Sequence, residues 1–169
     1  MNYRKPKFVV VGIGQTMRGD DAIGITAVKA WQSQYSHTAN HPDMRVETTE
    51  VPDLDFLELL SGAEEALIVD AVKTGDRPGK IHILNEQSLS AFDQNTTSTH
   101  GWGVAETIRL GRTLKREDLP HEIRIIGIEA GQFETGARLS PEIIENLPQI
   151  ISAIESYVIE LLQESHQTH

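Results

Sequence analysis

Three stretches of the sequence contain the residue types that could do chemistry. Asp20 and Asp21 follow a glycine turn in FVVVGIGQTMRGDDAIG, which covers residues 8–24. Asp70 lies near the carboxyl end of the apolar run ALIVDAV, and His100 stands in a Thr-His-Gly turn. Two carboxylates and an imidazole are a ligand set for a divalent metal ion, and two adjacent carboxylates can also share one proton.

Asp70 needs a partner or a ligand, because a carboxylate buried without one among apolar side chains is strongly unfavourable. One interpretation is that backbone amides of the next turn bind it. The other is that it faces a cleft together with Asp21, if the two strands that precede these residues are neighbours in a sheet. Ligands of open α/β sheets bind beyond the carboxyl ends of the strands, where both aspartates are expected.

The glycine turn by itself allows further interpretations. Gly12 and Gly14 match the opening of the dinucleotide-binding pattern G-x-G-x-x-G, but Met17 occupies the third glycine position. Two nearby acids also disfavour a bound phosphate, and the sequence contains no G-x-x-x-x-G-K-[ST] loop. A purely structural interpretation stays open, in which Asp20 caps a helix and Asp21 interacts with the positive end of the helix dipole.

Composition excludes several classes of function. The chain of 169 residues has 15 basic and 25 acidic side chains, so its net charge of −10 disfavours nucleic acid and anionic membranes as partners. It has no cysteine, which excludes disulfides and a thiolate nucleophile. A G-x-S-x-G elbow is absent as well. No apolar run is long enough to span a membrane, and we expect a cytoplasmic monomer.

Alternating apolar strands and amphipathic helices predict the fold class. We expect an α/β protein whose residues 1–169 form one domain, a three-layer α/β/α sandwich with a mostly parallel sheet of about five strands. The connection before the strand at 80–84 is too short for a crossover, so that strand is expected to be antiparallel. The predicted strands are 8–11, 45–51, 66–72, 80–84 and 123–128, and the predicted helices are 20–31, 54–60, 104–114 and 140–162, with a polar loop at 95–99.

The motif R-G-D-D-A-I-G at residues 18–24, after its glycine turn, resembles the amino-terminal signature of the hydrogenase maturation endopeptidases. Two later stretches, at 67–72 and 98–103, match the same family in order and approximate spacing. The resemblance extends from about residue 7 to about residue 160. Gln15, where the family commonly has Asn, and the segment EVPD at 50–53, where many members have D-G-G-T, depart from the family pattern.

The resemblance implies a site and a cofactor. In this family two acids and a histidine at these motif positions bind a metal and serve catalysis, and they correspond to Asp21, Asp70 and His100. The implied metal is nickel supplied by the substrate, with zinc or another divalent ion as a surrogate.

The resemblance also implies an activity. The expected reaction is removal of the carboxyl-terminal extension from the nickel-loaded precursor of a nickel-iron hydrogenase large subunit. A non-catalytic, nickel-dependent binding protein or chaperone of the same fold, which docks on the precursor without cutting it, is the alternative.

Overall fold

The computed structural model describes residues 6–93 and 103–167. Within them the backbone forms one five-stranded sheet in the order β2-β1-β3-β5-β4. Strands β2, β1, β3 and β5 are parallel, and β4 is antiparallel to β5. The strands are β1 Phe8–Ile13, β2 Met44–Thr49, β3 Glu65–Val72, β4 Ile81–Asn85 and β5 Glu122–Glu129.

Helices cover both faces of this sheet. The described helices are α1 Ile23–Gln34, α2 Ser36–Ala39, α3 Leu54–Leu60, α4 Glu86–Asp93, α5 Val104–Thr113 and α6 Pro141–Gln167, and a 3-10 turn Gly19–Ala22 precedes α1. α1, α2 and α6 pack on one face, while α3, α4 and α5 pack on the other. No helix within the described ranges is both long and apolar enough to cross a membrane.

The central strands are apolar on both sides because each face buries its own core. In β1, Val10 packs with α1 and α6, whereas Val9 and Val11 pack with α3 and α5. All three side chains are fully buried, as expected for a strand in the middle of a covered parallel sheet. This two-sided burial explains why β1 is a continuous apolar run and not an alternating one.

The amino-terminal end of α1 sits unusually close to the ends of β1 and β3. A Cβ on Gly24 would lie 2.1 Å from the carbonyl oxygen of Ile13 and 2.3 Å from that of Val69. A Cβ on Gly12 would lie 2.6 Å from the carbonyl oxygen of Gly24. Any side chain at these two glycines would push α1 away from the sheet, so these glycines serve close packing of helix on strand.

The predicted three-layer α/β/α sandwich with a mostly parallel five-stranded sheet is confirmed. Each predicted strand is present, with bounds that differ by a few residues, and the antiparallel strand pairs with β5. The sequence interpretation missed two helices, α4 and the short α2. It treated the residues of α2 as a polar helix end and loop. The loop predicted at 95–99 lies outside the described residues, and the single domain over 1–169 stays a prediction.

Candidate active site

Two predicted site residues, Asp21 and Asp70, come together at the carboxyl ends of neighbouring strands. β1 and β3 pair in parallel, and the 3-10 turn that carries Asp21 contacts β3. The close seating of Gly24 on the carbonyl of Val69 fixes this arrangement, because Asp21 lies one helical turn before Gly24 and Asp70 directly follows Val69. The condition set by the sequence, that the two strands be neighbours, is therefore met.

Asp21 is almost completely enclosed, with 3% of its surface exposed. Its Oδ2 accepts a long hydrogen bond of 3.4 Å from the backbone N–H of Gln15. The turn between them depends on Gly14, which has φ of +149° and whose Cβ, if present, would lie 1.8 Å from the carbonyl oxygen of Asp21. Glycine at this position lets the loop after β1 fold tightly around the Asp21 carboxylate.

Asp70 is half-buried near the carboxyl end of β3. Its Oδ1 accepts a hydrogen bond of 2.8 Å from the backbone N–H of Ala71. Burial raises the pKa of Asp70 well above its ordinary value, the negative charge of Asp21 raises it further, and the Ala71 hydrogen bond opposes both effects. Asp70 thus has the amide contact of the structural interpretation and also faces a second carboxylate.

Two crowded carboxylates, one with a raised pKa, can take up a proton or a cation that neither would hold alone. The third predicted site residue, His100, lies outside the described residues, so its position relative to the pair stays a prediction. Within residues 6–93 and 103–167, no group of three or more acidic or histidine side chains is arranged to hold a metal ion. Among the predicted metal ligands, the structure therefore describes the carboxylates of Asp21 and Asp70.

Asp20 does not cap α1, and that structural interpretation is wrong. Its side chain is fully buried and points to the loop between β5 and α6. Oδ2 accepts hydrogen bonds from the backbone N–H groups of Gly131 at 2.8 Å and Gln132 at 3.0 Å, and Oδ1 accepts one from Ser140 at 2.6 Å. Asp20 therefore ties the turn that carries Asp21 to the loop in front of α6.

The sequence interpretation also missed Glu129, a carboxylate with 1% of its surface exposed at the end of β5. Its Oε1 accepts hydrogen bonds from the backbone N–H groups of Thr74 at 2.8 Å and Gly75 at 3.0 Å. Its Oε2 accepts one from the Thr74 hydroxyl at 2.8 Å and lies 3.2 Å from Nε2 of His82. The signal was available, because Glu129 ends the apolar run IRIIGIE as Asp70 interrupts ALIVDAV.

A second loop reaches the rim of the site from β2. The Oε1 atom of Glu50 accepts a hydrogen bond of 2.6 Å from the Thr16 hydroxyl, and this contact together with the Thr16 amide lowers the pKa of Glu50. On the other side of the segment, the Thr107 hydroxyl donates to the carbonyl of Pro52 at 2.6 Å. The EVPD segment, which departs from the family pattern, is therefore held by Thr16 at its first residue and by Thr107 of α5 at its third.

Comparison with known proteins bears on what this site does. Residues 52–157 match the family model described as hydrogenase maturation protease. The hydrogenase 2 maturation protease of Escherichia coli is 24% identical over 162 residues, covering 92% of this chain and 95% of that protein. The hydrogenase expression/formation protein HupD of Thiocapsa roseopersicina is 26% identical over 153 residues, covering 89% of this chain and 67% of that protein.

Solved structures share the fold of this chain. The hydrogenase maturating endopeptidase HybD from E. coli superposes with a TM-score of 0.72 at 20% identity, covering 91% of this chain and 93% of that one. The [NiFe] hydrogenase maturation protease HybD from Thermococcus kodakarensis superposes with a TM-score of 0.71 at 19% identity, covering 90% and 99%. At these identities the superpositions establish the shared fold.

Proposed function

The chain belongs to the hydrogenase maturation protease family, and from this membership we propose that it cleaves the carboxyl-terminal extension from the precursor of a nickel-iron hydrogenase large subunit. The single observation that carries a hydrolytic role for its site is the pairing of Asp21 and Asp70, with a raised pKa on Asp70, at the carboxyl edge of the sheet. Such a pair supplies both a proton acceptor and a proton donor to one peptide bond.

In this proposal the two carboxyl groups share one proton before the reaction. The ionised carboxylate accepts a proton from a water molecule as the water oxygen bonds to the scissile carbonyl carbon. The protonated carboxyl donates its proton to the departing amine as the carbon–nitrogen bond breaks. One proton is taken from water and one is given to the product, so the pair ends with the single shared proton with which it began.

Nickel enters as part of the substrate. The pair fits a cation in place of its shared proton, because burial and the negative charge of Asp21 both raise the pKa of Asp70 and a positive charge between the carboxylates would offset both effects. With His100 as a third ligand, these residues would hold nickel carried by the precursor, and zinc or another divalent ion could replace it. The bound ion would anchor the precursor, and the proton-sharing state that cleaves the bond would form once the ion no longer lies between the two carboxylates.

The protease is favoured over the non-catalytic binding protein, because the family model and the E. coli relative are both described as proteases. Intact-mass measurement tests this directly. Incubation with the nickel-loaded precursor should release one discrete carboxyl-terminal peptide and shorten the precursor by its mass. A precursor that binds the protein but keeps its full mass after prolonged incubation would establish the alternative.

We expect the isolated protein to hold nickel weakly. Asp21, Asp70 and His100 provide at most three side-chain ligands and no thiolate, whereas tight structural sites usually close four positions. Protonation of an unperturbed imidazole near pH 6.5 should weaken binding as the pH falls. Equilibrium dialysis at about pH 7 measures the affinity. Nanomolar or tighter binding that His100→Ala leaves unchanged would place the metal site elsewhere.

The remaining properties are proposals of the same kind. The net charge of −10 supports a protein partner over nucleic acid or an anionic membrane. The absence of cysteine suits a reducing compartment, so we place the reaction in the cytoplasm. We also propose that the protease acts as a monomer. Size-exclusion chromatography of the free protein and of its mixture with the precursor would test both the monomer and the partner.

A further inference from the structure

A groove of about 350 Å³ is lined in part by the turn that carries Asp21 and lies between the loop after β1 and the loop before α6. One wall consists of Thr16, Met17, Gly19, Ala22 and Thr26, and the other wall consists of residues 136–139. Ala22 in the first wall directly follows Asp21, and Thr16 directly follows Gln15, whose N–H contacts the Asp21 carboxylate. The groove is therefore lined by residues that directly follow two members of the candidate active site along the chain.

The two walls are fixed to each other by hydrogen bonds. The backbone N–H of Gly19 donates to the carbonyl of Ala137 at 3.2 Å, and that of Gly136 donates to the carbonyl of Met17 at 2.8 Å. The buried Asp20 adds its three bonds to backbone amides of the same loop. This network builds the groove into the fold, so its width does not depend on a ligand.

The lining of the groove combines apolar surface with one positive charge. Met17 is 67% exposed, which is unusual for a large apolar side chain beside a functional site. Arg138 is the charged residue of the lining, and within the described residues its guanidinium has no ion pair. The nearby Glu50 carboxylate is already bound by the hydroxyl and amide of Thr16.

We propose that this groove, the Arg138 groove, holds an extended segment of the precursor next to its scissile bond and that Arg138 pairs with an acidic side chain of that segment. This inference rests on the proposed function and assigns a binding site to it. Charge complementarity identifies the occupant, since an unpaired cation in a protein of net charge −10 selects a carboxylate. The exposed Met17 packs on the apolar part of the same segment.

Kinetics of precursor processing test the proposal. Arg138→Glu should raise KM about tenfold, equivalent to ~1.4 kcal/mol of binding, and leave kcat within about twofold. A change in KM alone is expected because Arg138 holds the substrate equally in the ground state and the transition state. Lys115→Glu is the matched control, because it makes the same charge change on an exposed residue after α5, at the opposite edge of the sheet. It should leave both constants unchanged.

A charge exchange identifies the partner residue. Each acidic residue within about six positions of the cleavage site is replaced by Lys in the precursor, a length that an extended segment spans in roughly 20 Å. One such precursor should be processed poorly by the wild-type protease and restored towards the normal KM by Arg138→Glu. If the wild type processes the precursor, but Arg138→Glu leaves KM unchanged or no exchange restores it, the groove assignment is wrong. Failure of the wild type itself to cut would instead contradict the proposed function.

Discussion

Asp70→Asn should abolish cleavage of the precursor while the protein folds as before. The amide has the shape of the carboxyl group, and its oxygen can still accept the 2.8 Å hydrogen bond from Ala71. It can neither share the proton of the acid pair nor supply negative charge to a cation. Loss of one general acid or base lowers rates by about 10²- to 10⁴-fold, so we expect no released peptide in the intact-mass assay on the timescale of complete wild-type processing.

The same substitution should stabilise the protein at neutral and higher pH. The pKa of Asp70 is raised in the folded state, so the folded protein binds this proton more tightly than the unfolded chain does. The free energy of unfolding therefore falls as the pH rises from about 4, the ordinary value for Asp, through the raised pKa. Asp70→Asn has no carboxyl group at this position, so its free energy of unfolding does not fall in this way. Its melting temperature should exceed that of the wild type increasingly as the pH rises, and the two should converge at acidic pH.

Glu145→Gln is the control for the loss of one negative charge, because Glu145 is exposed on α6 and its carboxylate has no bonded partner within the described residues. It should process the precursor normally. The site assignment would be wrong if Asp70→Asn kept more than about a tenth of the wild-type rate. A melting temperature below that of the wild type at pH 8 would contradict the electrostatic account.

Asp20→Asn should lower the free energy of unfolding more than the isosteric changes at Asp70 and Glu129 do. Both oxygens of Asp20 accept hydrogen bonds from backbone N–H groups. An Asn side chain would turn its NH₂ group towards at least one of these N–H donors. We expect a loss of about 3 kcal/mol, because a buried donor is left unpaired and a charge-assisted network is broken. For a protein of this size that corresponds to roughly 6 to 12 °C in melting temperature.

Glu129→Gln is the informative comparison, because it makes the same chemical change at another buried carboxylate. One oxygen of Glu129 faces two N–H donors, while the other faces the Thr74 hydroxyl and a ring nitrogen of His82. A Gln can accept hydrogen bonds with its oxygen and can donate with its NH₂ group to the Thr74 hydroxyl oxygen, beside the ring nitrogen of His82. The expected loss is about 1 kcal/mol or less. Equal destabilisation of the two variants in urea unfolding would contradict these hydrogen-bond assignments.

Much of this molecule could be predicted from local signals in the sequence. β1 and β3 are buried on both faces of the sheet. Such strands are continuous apolar runs in the sequence, which makes them easy to recognise. Their order, with helices between them, fixes a parallel sheet, and a parallel sheet gathers the carboxyl ends of its strands at one edge. The sequence therefore predicted that Asp21 and Asp70 meet if the two preceding strands are neighbours, and the pairing of β1 with β3 in the structure met that condition.

The roles of Asp20 and Glu129 were decided by the tertiary structure. The sequence left open that Asp20 caps the helix that follows it, but its bonded amides lie 111 to 120 positions away along the chain. Glu129 binds a turn 54 to 55 positions before it. A cap or a turn is encoded by residues a few positions apart. These carboxylates instead accept hydrogen bonds from amides that only the packing of the sheet brings near. The sequence therefore revealed which side chains are polar in an apolar setting, and the fold determined which backbone groups they bind.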